Sequence, residues 1–165
     1  MRRTRLAVSV FLGLCLWAAQ AFADGALVIG ENLKVGMPLK DALVLLGHPD
    51  SLKIYRGTET AADSVAVEYP NHGVIVRALN MGTAVEGIDI LPGFKGRFAS
   101  GVKIGDKFSV LIEKYGTPQS LSMDIARYPN LGLYFLLKDQ LLVSGKSFAK
   151  GSKLLDSRLA NPTEN

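Results

Sequence analysis

His48 and His72 are the only imidazoles in the chain, so general base, nucleophile-activating and metal-ligand chemistry must begin with them. His48 lies in Gly47-His48-Pro49 and His72 in Tyr69-Pro70-Asn71-His72-Gly73, two segments whose proline and glycine mark a helix stop and a turn. A zinc site needs further histidines or carboxylates, and no H-x₃-H or HExxH spacing supplies them. Both histidines are therefore expected in exposed loops. Cys15 is the only cysteine and sits near the N-terminus, which leaves the body of the chain without a thiol nucleophile, a CxxC redox pair or a thiolate metal site. Ser100-Gly101 and Ser144-Gly145 lack the second glycine of a G-x-S-x-G nucleophile elbow. Asp50, Glu59, Asp63 and Glu68 crowd the first half, and a glycosidase would need two such carboxylates at a set separation. A solvated acidic face accounts for them as well. No G-x-G-x-x-G or P-loop occurs, and the glycine-rich run Gly93 to Gly101 lies where a linker is needed. No catalytic, cofactor-binding or metal-binding residue is assigned, no cofactor is expected, and the chain is read as a non-enzyme.

The elements that would carry these residues begin after an export signal. Arg2, Arg3 and Arg5 form a basic start, Leu6 to Ala19 an apolar core of 14 residues, and Ala21-Phe22-Ala23 a small-x-small cleavage site. A bilayer-spanning helix needs about 20 apolar residues, so residues 1–23 are expected to be a cleaved signal peptide that leaves no membrane anchor. Leu12-Gly13-Leu14-Cys15 is a poor lipobox because Leu14 stands where a small residue belongs. The remaining 142 residues are long enough to build a core without disulfides.

Charge follows from the same division. Of 19 basic and 15 acidic residues, three basic ones belong to the signal, which leaves 16 against 15 and a net charge of +1. The basic character of the whole chain is thus largely that of its leader and argues for no nucleic-acid partner. Phe94, Arg97, Phe98, Lys103 and Lys107 mix aromatic and basic types as a single-strand binder does. The phenylalanines are expected in the core instead. Residues 24–91 carry 5 basic and 9 acidic side chains, whereas 92–165 carry 11 and 6.

The strongest internal signal is a repeat. Leu33-Lys34-Val35-Gly36 recurs 69 residues later as Val102-Lys103-Ile104-Gly105, and Gly47 recurs as Gly116 at the same spacing. Tyr69-Pro70-Asn71-His72-Gly73-Val74 recurs as Tyr128-Pro129-Asn130-Leu131-Gly132-Leu133 with an offset of 59, so the first copy holds ten extra residues around Arg56 to Ser64. Each copy opens with a helix, whose buried face is Leu39, Ala42, Leu43 and Leu46 or Phe108, Leu111, Ile112 and Tyr115. Pro38 suits the first turn of one helix, and Asp106 is expected to cap the other. Gly47 and Gly116 close the helices, and Pro49 and Pro118 forbid continuation. Alternation predicts strands over Val65 to Tyr69, Val74 to Leu79, Val85 to Leu91, Leu133 to Leu137 and Leu141 to Val143. Leu154, Leu155 and Leu159 suggest a last helical turn. The fold class is α+β, two tandem repeats, each an amphipathic helix on an antiparallel β-meander. The expected layout is 1–23 signal peptide, 24–32 lead-in, 33–101 first repeat, 102–148 second repeat and 149–165 polar tail.

Gly101-Val102-Lys103-Ile104-Gly105-Asp106, an amphipathic helix, Tyr115-Gly116-Thr117-Pro118 and a following meander resemble the small exported repeats of the β-lactamase-inhibitory-protein type. The arrangement is also similar to the SmpA/BamE family of outer-membrane assembly lipoproteins. The resemblance spans about 115 residues, Leu33 to Phe148. This chain departs from both in lacking disulfides and a lipobox. What the resemblance implies is an architecture with non-catalytic, protein-binding uses, and it transfers no binding residue.

These readings converge on an exported, periplasmic protein-interaction module whose partner is another envelope protein. A small-ligand or lipid carrier with an apolar groove between the repeats is the second reading, and an unrecognised enzyme the third. Loops on a rigid scaffold often carry function, so Arg56, Thr58, Glu59 and Asp63 of the inserted loop, together with His72, are the surface-interaction candidates.

Overall fold

Two eight-residue helices form where the apolar spacing predicts them, α1 (Leu39–Leu46) and α2 (Phe108–Tyr115). The computed structural model describes residues 26–57 and 59–155, so the predicted signal peptide, Thr58 and residues 156–165 lie outside the described residues. Gly47 and Gly116 end the helices at φ 77° and 80°, and their N–H groups donate to Leu43 O and Ile112 O. Positive φ is strained for any residue with a Cβ, which is why glycine stands at both stops. Pro38 precedes α1 as its N-cap rather than sitting inside the first turn.

Two local expectations need correction. Asp106 does not cap α2. Lys107 holds that position, and the Asp106 carboxylate accepts the Lys103 N–H at 2.7 Å, closing the turn ahead of the helix. Ile112 faces solvent, whereas Val110 packs on the core beside Phe108, Leu111 and Tyr115. The Tyr115 ring lies 5.6 Å from Tyr128 and 5.5 Å from Phe135, and this bulky contact sets the rotation of the short helix.

Among the described residues the other elements are strands and two short 3₁₀ turns, Thr60–Ala62 and Pro129–Leu131. β1 (Val28–Ile29) pairs in parallel with β6 (Arg97–Phe98), so the glycine-rich run expected as a linker contributes a rung of sheet. A larger sheet holds β2 (Ser51–Tyr55), β3 (Ser64–Tyr69), β4 (Val74–Leu79), β5 (Gly87–Ile90), β7 (Ser120–Ser122), β8 (Ile125–Tyr128), β9 (Leu133–Lys138) and β10 (Leu141–Phe148). Its eight strands run in the order β2-β3-β4-β5-β10-β9-β8-β7, every neighbouring pair antiparallel. The fold is α+β, with a continuous eight-stranded antiparallel sheet beside the two-stranded one.

Both helices are tied to this sheet in the same way. Ahead of α1, Gly36 N–H donates to Val85 O, Val85 N–H to Met37 O and Leu39 N–H to Thr83 O, at 2.7, 2.9 and 2.8 Å. Ahead of α2, Gly105 N–H donates to Leu142 O, Leu142 N–H to Asp106 O and Phe108 N–H to Gln140 O, at 2.7, 2.8 and 2.8 Å.

The core fills the space between the helices and one sheet face. Val67, Tyr69, Val74, Val76, Ile88, Ile90, Ala126 and Phe135 meet Ala42, Leu46 and Leu111 there. Phe94 and Phe98 are buried in the same cluster, as expected of them. A bulge between Leu142 and Ser144 lets Leu142 and Gly145 both face the helices despite their odd spacing. At Gly145 a Cβ would stand 3.3 Å from Phe98 Cζ and 3.3 Å from Phe135 Cδ1, so the missing side chain admits two rings to the sheet centre.

Candidate interaction surface

The sequence candidates fall at opposite ends of β3. At its end, Tyr69 Oη donates to Gly47 O at 3.3 Å, and the His72 ring stands 6.2 Å from the Tyr69 ring. Gly47, the residue before His48, and His72 thus both meet the same buried tyrosine. Both are exposed, and among the described residues no three His, Cys, Asp or Glu side chains group as metal ligands. At the start of β3, Arg56 Nη1 meets Asp63 Oδ2 at 2.6 Å, and Gly57 N–H donates to Asp63 Oδ1 at 2.9 Å. The Arg56 hydrogen bond, followed by that from Gly57, holds the Asp63 carboxyl below its ordinary range. Arg56 and Asp63 therefore close the loop between β2 and β3, whose chain continues through a 3₁₀ turn at Thr60–Ala62. Glu59 reaches across to Lys153 Nζ at 3.0 Å. Thr58 lies outside the described residues. Strand β3, six residues or roughly 20 Å long, separates His72 from Arg56 and Asp63, so His72 stands apart from the loop candidates among the described residues.

Glu59, Asp63 and Glu68, three of the four first-half carboxylates weighed above, each hold a cation. Glu68 is bridged by Lys53 Nζ at 2.7 and 2.9 Å and accepts from Ser51 Oγ at 2.7 Å. The Lys53 and Ser51 hydrogen bonds keep its carboxyl ionised below the usual range, and Glu68 in turn raises Lys53. Asp63 has Arg56 and Glu59 has Lys153, and Asp50 is exposed. Among these carboxylates, the lowered pKa values of Asp63 and Glu68 are those of ion-pair partners, the reverse of a general acid at neutral pH. The serines weighed above are likewise accounted for at Ser100, whose Oγ donates to Tyr115 Oη at 2.6 Å.

What the sequence missed is a row on the sheet face turned away from the helices. Strand register lines up Ser51, Glu68, Ile75, Asp89, Lys146, Tyr134, Arg127 and Ser120, one from each of the eight strands. Arg77 Nε and Nη2 donate to Asp89 Oδ2 at 2.9 and 2.8 Å, and its guanidinium lies 5.1 Å from the Tyr55 ring centroid. Lys146 Nζ stands 3.8 Å from Asp89 Oδ1. Arg127 Nη1 donates to Ser122 O, Ser122 Oγ and Ile125 O at 3.2, 2.9 and 3.1 Å, which turns the tight β7–β8 hairpin into its anchor. On the same face Tyr134 of the row and Phe148 meet edge to face at 5.9 Å and form a small second cluster with Ile125, Leu154 and Leu155.

The sheet ends on two open strands. On β2, Leu52 and Ile54 are 60% and 66% exposed, and Leu121 on β7 and Met123 just after it are 50% and 62% exposed. No helix among the described residues is long and apolar enough to cross a membrane. Compared with protein-family models, with curated proteins and with solved structures, the chain matches none.

Proposed function

We propose that this chain is an exported, non-catalytic protein-interaction module of the cell envelope, built from two copies of a helix-plus-meander unit. The duplication is supported by the sheet order, in which β2 to β5 and β7 to β10 run inward from opposite edges to meet at β5 and β10. Matching backbone ties ahead of α1 and α2 support it too, as do Tyr69 and Tyr128, which donate to the glycine carbonyl at the end of their own helix. Units of this kind are similar to the exported repeats of the β-lactamase-inhibitory-protein type. Export rests on the signal-like pattern of residues 1–23.

The observation that carries the reading is the in-register row on the helix-free face. Tyrosine and arginine dominate binding energy at protein interfaces, and Tyr55 and Arg77 stand at least partly exposed on that face, with Tyr134 and Arg127 buried further along it. The carrier alternative needs an apolar cavity between the halves. At the β5–β10 seam, where Gly145 faces Ile90, Phe98 packs edge to face on Phe135 at 5.1 Å and would stand 3.3 Å from a Cβ at Gly145, and this filled space favours recognition at the surface. Native mass spectrometry of the protein taken from its own host, beside in-cell crosslinking, separates the two. The module is expected to show the bare mass of a chain starting at Asp24 and a crosslink to one envelope protein. A stoichiometric small-molecule adduct without a protein crosslink would replace it by the carrier.

A further inference from the structure

After β10 the chain turns back over the helix-free face. Ala149 N–H donates to Glu86 O at 2.9 Å, the last backbone tie to the body of the fold among the described residues. Gly151, at φ 71°, then reverses direction, and Ser152 closes the turn by donating its N–H to Ala149 O and accepting the Leu154 N–H on Oγ at 3.1 Å. Leu154 and Leu155 come to rest on Tyr134, Phe148 and Ile125. Tyr134 and Phe148 are only 3% and 4% exposed beneath them, although they sit on the face that no helix covers.

From these contacts we infer that residues 150–155 are a displaceable strap over a peptide-docking surface formed by Ile125, Tyr134 and Phe148, with Glu59 at its rim. The inference rests on the reading of the chain as an interaction module and names the chemistry of the partner. The occupant is an extended peptide segment with two adjacent bulky aliphatic residues and a basic residue just before them. The strap is itself an example: Lys153 meets Glu59, and Leu154 and Leu155 cover the rings.

Three features make the strap displaceable. Among residues 150–155 every backbone hydrogen bond is made within the turn that starts at Ala149, and none to a strand. The two leucines are half-buried, on a cluster separate from the main core. The ion pair to Glu59 is more than half exposed on both sides, at 52% and 62%. Exposed pairs of this kind contribute little, and partial burial of two leucines is offset largely by the entropy of fixing six residues. Opening the strap would uncover an aromatic pair beside Arg127 and Lys146, the residue types on which interface energy concentrates.

The test uses the full chain and a synthetic peptide with the sequence of residues 150–155. Leu154→Ser/Leu155→Ser releases the strap without touching the main core, and Lys153→Glu, which sets a like charge against Glu59, loosens it independently. The peptide is expected to bind the double variant at least tenfold more tightly than the parent chain, the factor that holds if the closed strap leaves the surface open in no more than one molecule in ten. Lys153→Glu should fall between them, and the peptide should shift the NMR signals of Tyr134, Phe148 and Ile125. Equal affinity for parent and variants, no binding to the released variants, or shifts confined to β2 would each overturn the strap. The wider reading fails by a different result, the absence of any protein crosslink from the sheet face in cells.

Discussion

Replacing Tyr128 by phenylalanine removes one oxygen and leaves the ring where it is. That ring stays packed 5.6 Å from Tyr115 and 5.9 Å from Phe135, so the change isolates the hydrogen bond from Tyr128 Oη to Gly116 O at 2.9 Å. A neutral hydrogen bond contributes about 1 kcal/mol net. Gly116 is solvent-accessible, so water can take over its carbonyl and the loss stays near that value. The corresponding bond from Tyr69 to Gly47 O is longer, at 3.3 Å, and Tyr69→Phe should cost about 0.5 kcal/mol. The two sites lie in different halves of the sheet and share no partner, so the double variant should lose about 1.5 kcal/mol. Urea unfolding measures all three, with an unchanged m-value as the sign that the unfolded state is unaffected. A neutral Tyr128→Phe, or a larger loss at Tyr69 than at Tyr128, would refute the claim that these hydroxyls fasten each helix end to its strands.

Burial raises the hydroxyl pKa of Tyr69, Tyr115, Tyr128 and Tyr134 above the ordinary 10.0. The stability this lends is complete below the unfolded value and lost as pH climbs through the folded ones, so tyrosinate absorbance should rise together with alkaline unfolding. Separate ionisation near pH 10 in a folded chain would contradict it. At the other end of the scale, Asp63 and Glu68 are held below their ordinary 3.8 and 4.5 by Arg56 and Lys53. Their contribution is present above those values and lost as pH falls through the folded ones, and Arg56→Ala with Lys53→Ala should flatten the acid limb of the stability profile. Gly145→Val should destabilise by about 1–3 kcal/mol through overpacking, because its Cβ would already stand 3.3 Å from Phe98 and Phe135. A stability within experimental error of the parent would show that those rings move aside freely.

Much of the scaffold is legible in the sequence because periodicity and punctuation report local geometry. Apolar spacing marks α1 and α2, glycine and proline mark their ends, and alternation marks β3, β4 and β9. β2 is less legible because Ser51 to Tyr55 adjoins the inserted loop and is exposed along nearly its whole length, and β7 and β8 are too short to establish an alternation. Ile112 fits the helical pattern yet faces solvent, since Tyr115 sets the rotation of α2. The polar row is invisible for a deeper reason. It comes into being only when eight strands take a particular register, and register depends on non-local packing. The same holds for Glu59 and Lys153, which meet across 94 residues of chain. One usable signal did exist: Tyr69 and Tyr128 recur ahead of Pro-Asn, and a repeated tyrosine in a turn motif hints at a hydroxyl with a fixed partner.

The most direct test of the proposed function is photo-crosslinking in the intact host, with the reactive side chain placed in turn at Tyr55, Ile75 and Lys146 on the helix-free face and at Lys40 and Glu113 on the helices. The account predicts a crosslink to one envelope protein from the face positions and none from the helix positions. Crosslinks from the helices alone, or none from any position, would contradict it.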